Sequence, residues 1–392
     1  MAMSLAIIII LGIILNKLFE KLGLPGLLGM LILGVLLGPY VTNIISADIL
    51  RISPDLRKIA LIIILLRAGL GIKKDTLNKV SVPALKMSCI PGIFEGLSIM
   101  FVASYILGIS RIEAGMLGFV IAAVSPAVVV PTMINFMSTG KGEKKGIATI
   151  ILAGASIDNV IAITLFSTFL GLYGGKSVSV VKKILDIPVS IFMGIAVGAV
   201  VGIVLTIIFK KYHMSDTKKT LILIAIAIIL TGVEDLFKNI VPIASLLGVM
   251  TVGFIILERY SKAANKISMK LSKIWVIAEI LLFVLVGAQV NIQVTVTSGV
   301  LGLIIITLGL VARSIGVLVS LMGTNLNAKE RLFCVIAYIP KASVQAAMGA
   351  VPLAAGVKSG EVILAIAVLS ILVTAPLGAI GIKIGGEKLL GS

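Results

Sequence analysis

The chain has 392 residues, 59% of them hydrophobic and 13% charged, with a mean hydropathy of +1.21. No water-soluble core absorbs that apolar fraction, so lipid must be part of the solvent and the fold class is a membrane one. The net charge of +17 sits in short loops between apolar runs, where it reports membrane topology and excludes a nucleic-acid surface.

Apolar runs fall near 3–18, 24–45, 58–72, 80–108, 114–138, 146–173, 186–209, 219–238, 243–258, 272–290, 297–323, 331–354 and 361–383. Each approaches the roughly 20 helical residues that cross a bilayer. Their continuity and their Ile, Leu, Val, Ala and Gly content exclude the short alternating strands of a β-barrel. The expectation is an all-α polytopic membrane protein with about thirteen transmembrane helices. The first run lacks the basic front and small-residue cleavage site of a signal peptide, so it is expected to remain as a span. Cys89 and Cys334 lie far apart inside apolar runs and read as core residues, not as a redox pair or a metal site.

With the N-terminus outside, the lysine clusters Lys73–Lys79, Lys141–Lys145, Lys210–Lys219 and Lys262–Lys273 all fall on the inner side, as do Lys329, Arg331, Lys383 and Lys388. That bias predicts an inner-membrane, multi-pass protein with its N-terminus outside and its C-terminus cytoplasmic. The basic stretch from Glu258 to Lys273 is expected to be an amphipathic surface linker.

Two runs carry breaks. The fifth holds Ser125-Pro126-Ala127-Val128-Val129-Val130-Pro131-Thr132 and the twelfth holds Ile339-Pro340-Lys341-Ala342-Ser343-Val344-Gln345. Proline removes a backbone donor and clashes with the preceding turn, so both helices should open near mid-membrane. The two runs are seven apart and therefore cross in opposite directions, the pattern of an inverted-topology repeat with two broken crossing helices. Glu95 lies about 30 residues before the first break and Arg313 a similar distance before the second, which strengthens the correspondence.

An ionised group in mid-membrane persists only with a partner, water or a function. Arg67, Lys86 and Glu279 read as structural, the first two snorkelling from span ends. Asp158, deep in the sixth run beside Asn159, is the carboxylate expected to exchange a proton for Na⁺ or Li⁺, hard cations that favour oxygen ligands. Further ligands are expected from backbone around Val128 and Val129, the hydroxyls of Ser125, Thr132, Ser156 and Ser343, and the amides of Asn159 and Gln345. Lys341 is expected to pair with Asp158 when no cation is bound, and Glu95 with Arg313. Intramembrane hydrolysis fits these residues poorly: His213, the single histidine, lies in a basic loop, and Asp158 has no second deep aspartate to form a dyad. A passive channel suits inverted broken helices with a titratable site less well than alternating access does.

At these residues the chain resembles the monovalent cation:proton antiporter superfamily, in particular its bacterial and animal sodium (lithium)/proton exchangers. The motifs are Val124-Ser125-Pro126-Ala127-Val128-Val129-Val130-Pro131, Pro340-Lys341-Ala342-Ser343-Val344-Gln345-Ala346-Ala347 and Arg67-Ala68-Gly69-Leu70-Gly71. The resemblance implies a homodimer in membrane lipid, no cofactor beyond the transported Na⁺ or Li⁺ and H⁺, and an elevator-like movement. It implies a core of approximately 80–173 and 297–383 working against a dimerisation scaffold of approximately 1–72 and 186–290. It also implies Asp158 in the ion-site pair, Lys341 as its basic partner, and a Glu95–Arg313 salt bridge. One departure stands out: the second position of the pair, normally an aspartate that binds the cation, is Asn159. With a native Asn159 the exchange rests on Asp158 or is altered; with an introduced one, transport is lost. A K⁺/H⁺ exchanger and an organic-anion/Na⁺ symporter of similar architecture stay open as alternatives.

Overall fold

A computed structural model describes residues 1–22, 26–173, 180–237, 243–289 and 299–390, and among them the chain is helical with no strand. The first half contains α1 (Ala2–Lys21), α2 (Gly26–Leu37), α3 (Ala47–Gly69), α4 (Lys74–Leu107), α5 (Arg111–Ala122), α6 (Pro126–Thr139), α7 (Ile147–Tyr173) and α8 (Val180–Lys211). The second contains α9 (Asp216–Phe237), α10 (Ser245–Arg259), α11 (Ser261–Gly287), α12 (Gly299–Ser320), α13 (Ala328–Ala337), α14 (Ser343–Met348), α15 (Val351–Ala354) and α16 (Gly360–Lys388). Each of the thirteen apolar runs coincides with helix, and the fifth and twelfth are the broken ones, α5 with α6 and α13 with α14 and α15. The run edges at 24, 238, 290 and 297 lie outside the described residues.

Seven of the described helical spans are long and apolar enough to cross a membrane by themselves. Large apolar side chains point outward along them: Tyr105 is 90% exposed, Val300 73% and Phe192 70%, a surface that only lipid solvates cheaply.

Three boundaries differ from expectation. α2 stops at Leu37, short of 45, because Pro39 disfavours helix at the residue before it. α3 begins at Ala47, a decade before the apolar run, because its first turns are polar and amphipathic rather than spanning. The basic stretch expected as a surface linker turns sharply at Tyr260 and then enters α11 without a break, its apolar residues Ala263, Ala264, Ile267 and Leu271 buried.

The lysine-bearing loops share one face. Lys73 pairs with Glu143 at 2.7 Å, Lys145 with Glu330 at 2.8 Å, Lys266 with Asp216 at 3.6 Å, and the Lys74 N–H donates to Glu258 at 3.3 Å. These contacts tie the starts of α4, α7, α9, α11 and α13 together.

Packing sorts the helices into two groups. α4 runs along α5, α7 and α12, and α16 closes over α6, α12, α13 and α14. α11 packs on α2 and α3, α10 on α3 and α8, and α1 on α2. The groups meet chiefly where α6 lies on α3 and α7 on α8. Within the first group, small residues let backbones touch: Gly118 lies against the Gly96 carbonyl and Gly378 against the Pro340 ring.

The repeat extends to the helix starts. Ser110 caps α5 in a capping box with Glu113, and Asn327 caps α13 in a capping box with Glu330. Each acid then reaches beyond its own helix. Glu113 accepts from the N–H and hydroxyl of Ser359 at 3.2 and 2.9 Å, at the start of α16. Glu330 accepts from Lys145, just before α7. The two broken helices are thus latched at opposite faces of the molecule.

Candidate cation site at the crossing of two broken helices

Between α5 and α6 the chain is extended over Ala123, Val124 and Ser125. Pro126 opens α6 at a position where no N–H is needed, so the gap lies before the proline and not after it. Val128 and Val129, expected to offer free backbone, are inside α6 with their N–H groups bonded to the Ser125 carbonyl and their side chains in the core. Thr132 is likewise inside α6, past the break. The second gap spans Ile339 to Ala342, and the two gaps touch: the Ser125 N–H donates to the Pro340 carbonyl at 2.8 Å.

Breaking a helix in lipid strands backbone groups that must find partners. Gln345, read from sequence as an oxygen ligand, works chiefly as a donor. Its amide nitrogen reaches the carbonyls of Val120, Ile121 and Ala123 at 3.0, 3.2 and 2.8 Å and so closes the open end of α5. The Val124 N–H donates to Asp158 Oδ2 at 3.0 Å, and Arg313 donates to the Ala122 carbonyl. On the other side the Lys341 N–H is taken by Thr374 Oγ1 at 2.9 Å.

Four charges fill the crossing. Arg313 Nη1 donates to Glu95 Oε2 at 2.6 Å and Arg313 Nη2 to Asp158 Oδ2 at 3.0 Å, while Lys341 Nζ donates to the same Glu95 oxygen at 2.6 Å. All four side chains are buried. The Glu95–Arg313 contact is therefore present, but Lys341 sits on Glu95 and not on Asp158, whose partner is Arg313. The reason is reach: Arg313 spans the space between the two carboxylates with both ends of its guanidinium, and its plane lies over the Tyr338 ring, 5.1 Å from the centroid. The charges sum to zero.

Several oxygens at the crossing have no hydrogen-bond partner among the described residues: Asp158 Oδ1, Asn159 Oδ1, Ser125 Oγ, Ser343 Oγ and Gln345 Oε1. They are all buried and all oxygen, the donor set a hard monovalent cation takes. Ser156 is committed elsewhere, donating to the Leu152 carbonyl at 2.8 Å and standing 3.4 Å from Met250 Sδ.

A cavity of about 320 Å³ leads from here between the two helix groups. Asn159, Ser156, Ser343 and Pro126 line its inner end, and Thr164 and Ser167 carry it along α7 toward the face opposite the lysine loops. Glu234 of α9 and Asp186 of α8 also line it, two acids that loop-charge counting passes over because they sit near helix ends. Sequence reasoning also misses Tyr338, although it directly precedes the Ile339-Pro340 break, and Thr374, which no motif marks. Arg67 and Glu279 lie apart from the crossing, with Arg67 over Trp275 at 6.0 Å, and Lys86 lines a separate cavity on the lysine-rich face.

Comparison with known proteins places the chain in a family. Residues 5–385 match the family model described as "Sodium/hydrogen exchanger, transmembrane". Human sodium/hydrogen exchanger 9B2 is 34% identical over 391 residues, covering 94% of this chain and 70% of that protein. Human sodium/hydrogen exchanger 9B1 is 31% identical over 394 residues, covering 94% and 73%. Among solved structures, the sodium proton antiporter MjNhaP1 from Methanocaldococcus jannaschii at pH 8 superposes with a TM-score of 0.81 at 22% identity, covering 100% of this chain and 99% of that one, a likeness of fold. A helical membrane chain with this crossing, matched by a family model over nearly its whole length, belongs to the sodium/hydrogen exchanger family, whose members are transporters and not enzymes.

Proposed function

We propose that the chain exchanges a monovalent cation, Na⁺ or Li⁺, for H⁺ across the cytoplasmic membrane, without a cofactor. The observation that carries this reading is the balanced charge tetrad set against unpartnered buried oxygens. Glu95 and Asp158 offset Arg313 and Lys341, so a cation arriving at Asp158 Oδ1 adds an uncompensated charge in a medium that tolerates none. Release of one proton restores the balance. Arginine does not deprotonate in proteins, so Lys341 is the member of the tetrad with a proton to give. Cation in and proton out then become one event.

The cavity that reaches Asn159 opens away from the lysine loops, which orients the present state outward if those loops are cytoplasmic, with the N-terminus outside. Alternating access follows from movement of the group built on α4, α5, α7, α12 and α16 against the group built on α3, α8, α10 and α11, the second serving as scaffold and homodimer surface in the lipid. The unpartnered buried oxygens of Asp158, Asn159 and Ser125 favour a cation over an organic anion as the travelling species.

Position 159 sets the strength of exchange. As an amide it offers Oδ1 but no charge, so cation affinity rests on Asp158. The test is Na⁺-, Li⁺- and K⁺-driven proton movement in proteoliposomes by the chain, by Asp158→Asn and by Asn159→Asp. Exchange with Na⁺ and Li⁺ that disappears in Asp158→Asn is expected. Exchange by Asn159→Asp alone marks Asn159 as a switched-off site, and silence from all three overturns the reading.

A further inference from the structure

A second cavity, of about 500 Å³, lies on the lysine-rich face, walled by the start of α4, the turn before α7 and the end of α12. The α4 residues Thr76, Lys79, Pro83 and Lys86 line it, recurring every three or four positions and so forming one stripe of that helix. Ser320 of α12, which is buried, ties the two helices together there by donating to the Lys86 carbonyl at 3.2 Å. Part of the positive charge around this cavity is already matched. Lys145 is paired with Glu330 at 2.8 Å, Glu143 with Lys73 at 2.7 Å, and Lys144 has an interaction of its own. Lys79 and Lys86 are different: both are exposed, and neither has a carboxylate within ion-pair reach among the described residues.

The rim of the cavity faces lipid. Val82 and Met322, both lining it, are 61% and 62% exposed, and Leu85, beside Lys86, is 59% exposed. α4 has 34 residues, more than the roughly 20 that cross hydrocarbon, so its polar first turns, which hold Lys79, extend into the head-group layer. Lys86 stands two turns further on, among apolar neighbours, where an ammonium without a counter-ion is costly. Both lysines have long stems that reach back toward the head groups. We propose that this cavity binds the phosphate head group of an anionic glycerophospholipid, with Lys79 and Lys86 taking the phosphate and the acyl chains leaving past Val82 and Met322. Basic pockets between membrane helices serve such head groups in general. A water-soluble phosphate would meet the same two ammonium groups but has no use for the apolar rim, and that rim assigns the site to a lipid. The assignment does not depend on which ion the chain exchanges.

The full chain, purified in detergent, is titrated with phosphatidylglycerol, with phosphatidylcholine and with inorganic phosphate at constant ionic strength, and the thermal midpoint is followed. A saturable rise with phosphatidylglycerol alone is expected. Lys79→Gln and Lys86→Gln should each raise the half-saturating lipid concentration about fivefold, and the double variant about thirtyfold. Lys86→Arg should stay near the starting value. So should the double variant Lys262→Gln with Lys270→Gln, which removes two charges from α11 on the same face. An equal response to phosphatidylcholine or to inorganic phosphate overturns the lipid site, as does an unchanged half-saturation in Lys79→Gln with Lys86→Gln, or an equal weakening in the α11 variant. Should the α4 double variant not fold, native mass spectrometry of Lys86→Gln decides: fewer retained phosphatidylglycerol molecules than in the unaltered chain support the site, and an equal number sinks it. None of these readouts involves exchange, so the lipid site and the antiport reading stand or fall separately.

Discussion

Replacing Glu95 by glutamine tests whether the tetrad is a charge-balanced unit. Glu95 Oε2 accepts from both Arg313 and Lys341 at 2.6 Å, and the side chain is fully buried. The substitution keeps the shape, leaves Asp158 alone to face two cations and shifts the sum from zero to one positive charge. Removing one partner of a buried pair costs about 3–5 kcal/mol, most of it from the charge left behind. With unfolding entropy near 2.1 cal/mol/K per residue, a chain of 392 residues moves roughly 1.2 °C per kcal/mol, so the midpoint should fall by about 4–6 °C. Adding Lys341→Met to Glu95→Gln restores neutrality, with Asp158 and Arg313 remaining as a pair, and should recover most of the loss. Differential scanning fluorimetry of the single and double variants in detergent measures both. A double variant less stable than Glu95→Gln would refute the idea that balance, rather than each contact separately, stabilises the crossing.

Gln345→Leu removes the donor that serves three carbonyls at the end of α5, and should cost about 1–3 kcal/mol, read as faster amide exchange in α5 as well as a lower melting temperature. Gly92→Ala places a methyl group 2.6 Å from Asp158 Oδ1, the oxygen left open for a cation. Half-saturating Na⁺ in proteoliposome exchange should rise on the order of tenfold, equivalent to about 1.4 kcal/mol, and an unchanged value would show that Oδ1 is not a ligand. Glu113→Ala and Glu330→Ala should each cost about 1–2 kcal/mol through the lost capping box and latch, and the two losses should add in the double variant because they lie on opposite faces.

Much of this molecule is legible in its sequence because lipid imposes coarse rules. Spans follow from apolar length, the shared face of the loops from lysine placement, and the two breaks from Pro126 and Pro340. What a linear reading lacks is partner choice. Asp158, Glu95, Arg313 and Lys341 are all visible as buried charges, yet which carboxylate takes which cation depends on a guanidinium reaching both, a matter of side-chain length across three helices. The same limit applies to Gln345, where residue type allows donor and acceptor alike and only the open end of α5 decides. It applies also to the exact gap in the fifth run, displaced toward Ala123 because proline is tolerated at the start of a helix. Glu234 and Asp186 escape notice for a different reason: near a helix end an acid usually meets water, and only the walls of the cavity show otherwise.

The crosswise latches at Glu113 and Glu330 bear on how turnover responds to the bilayer. Each fastens the outer end of one broken helix to the start of the continuous helix that follows the other's break, so the interrupted backbones are braced like members of a truss. A half-helix so braced cannot swing alone. On the proposed alternating-access cycle, presenting Asp158 to the other face would carry the whole frame through its lipid annulus, and the speed of transport would then follow membrane thickness and viscosity.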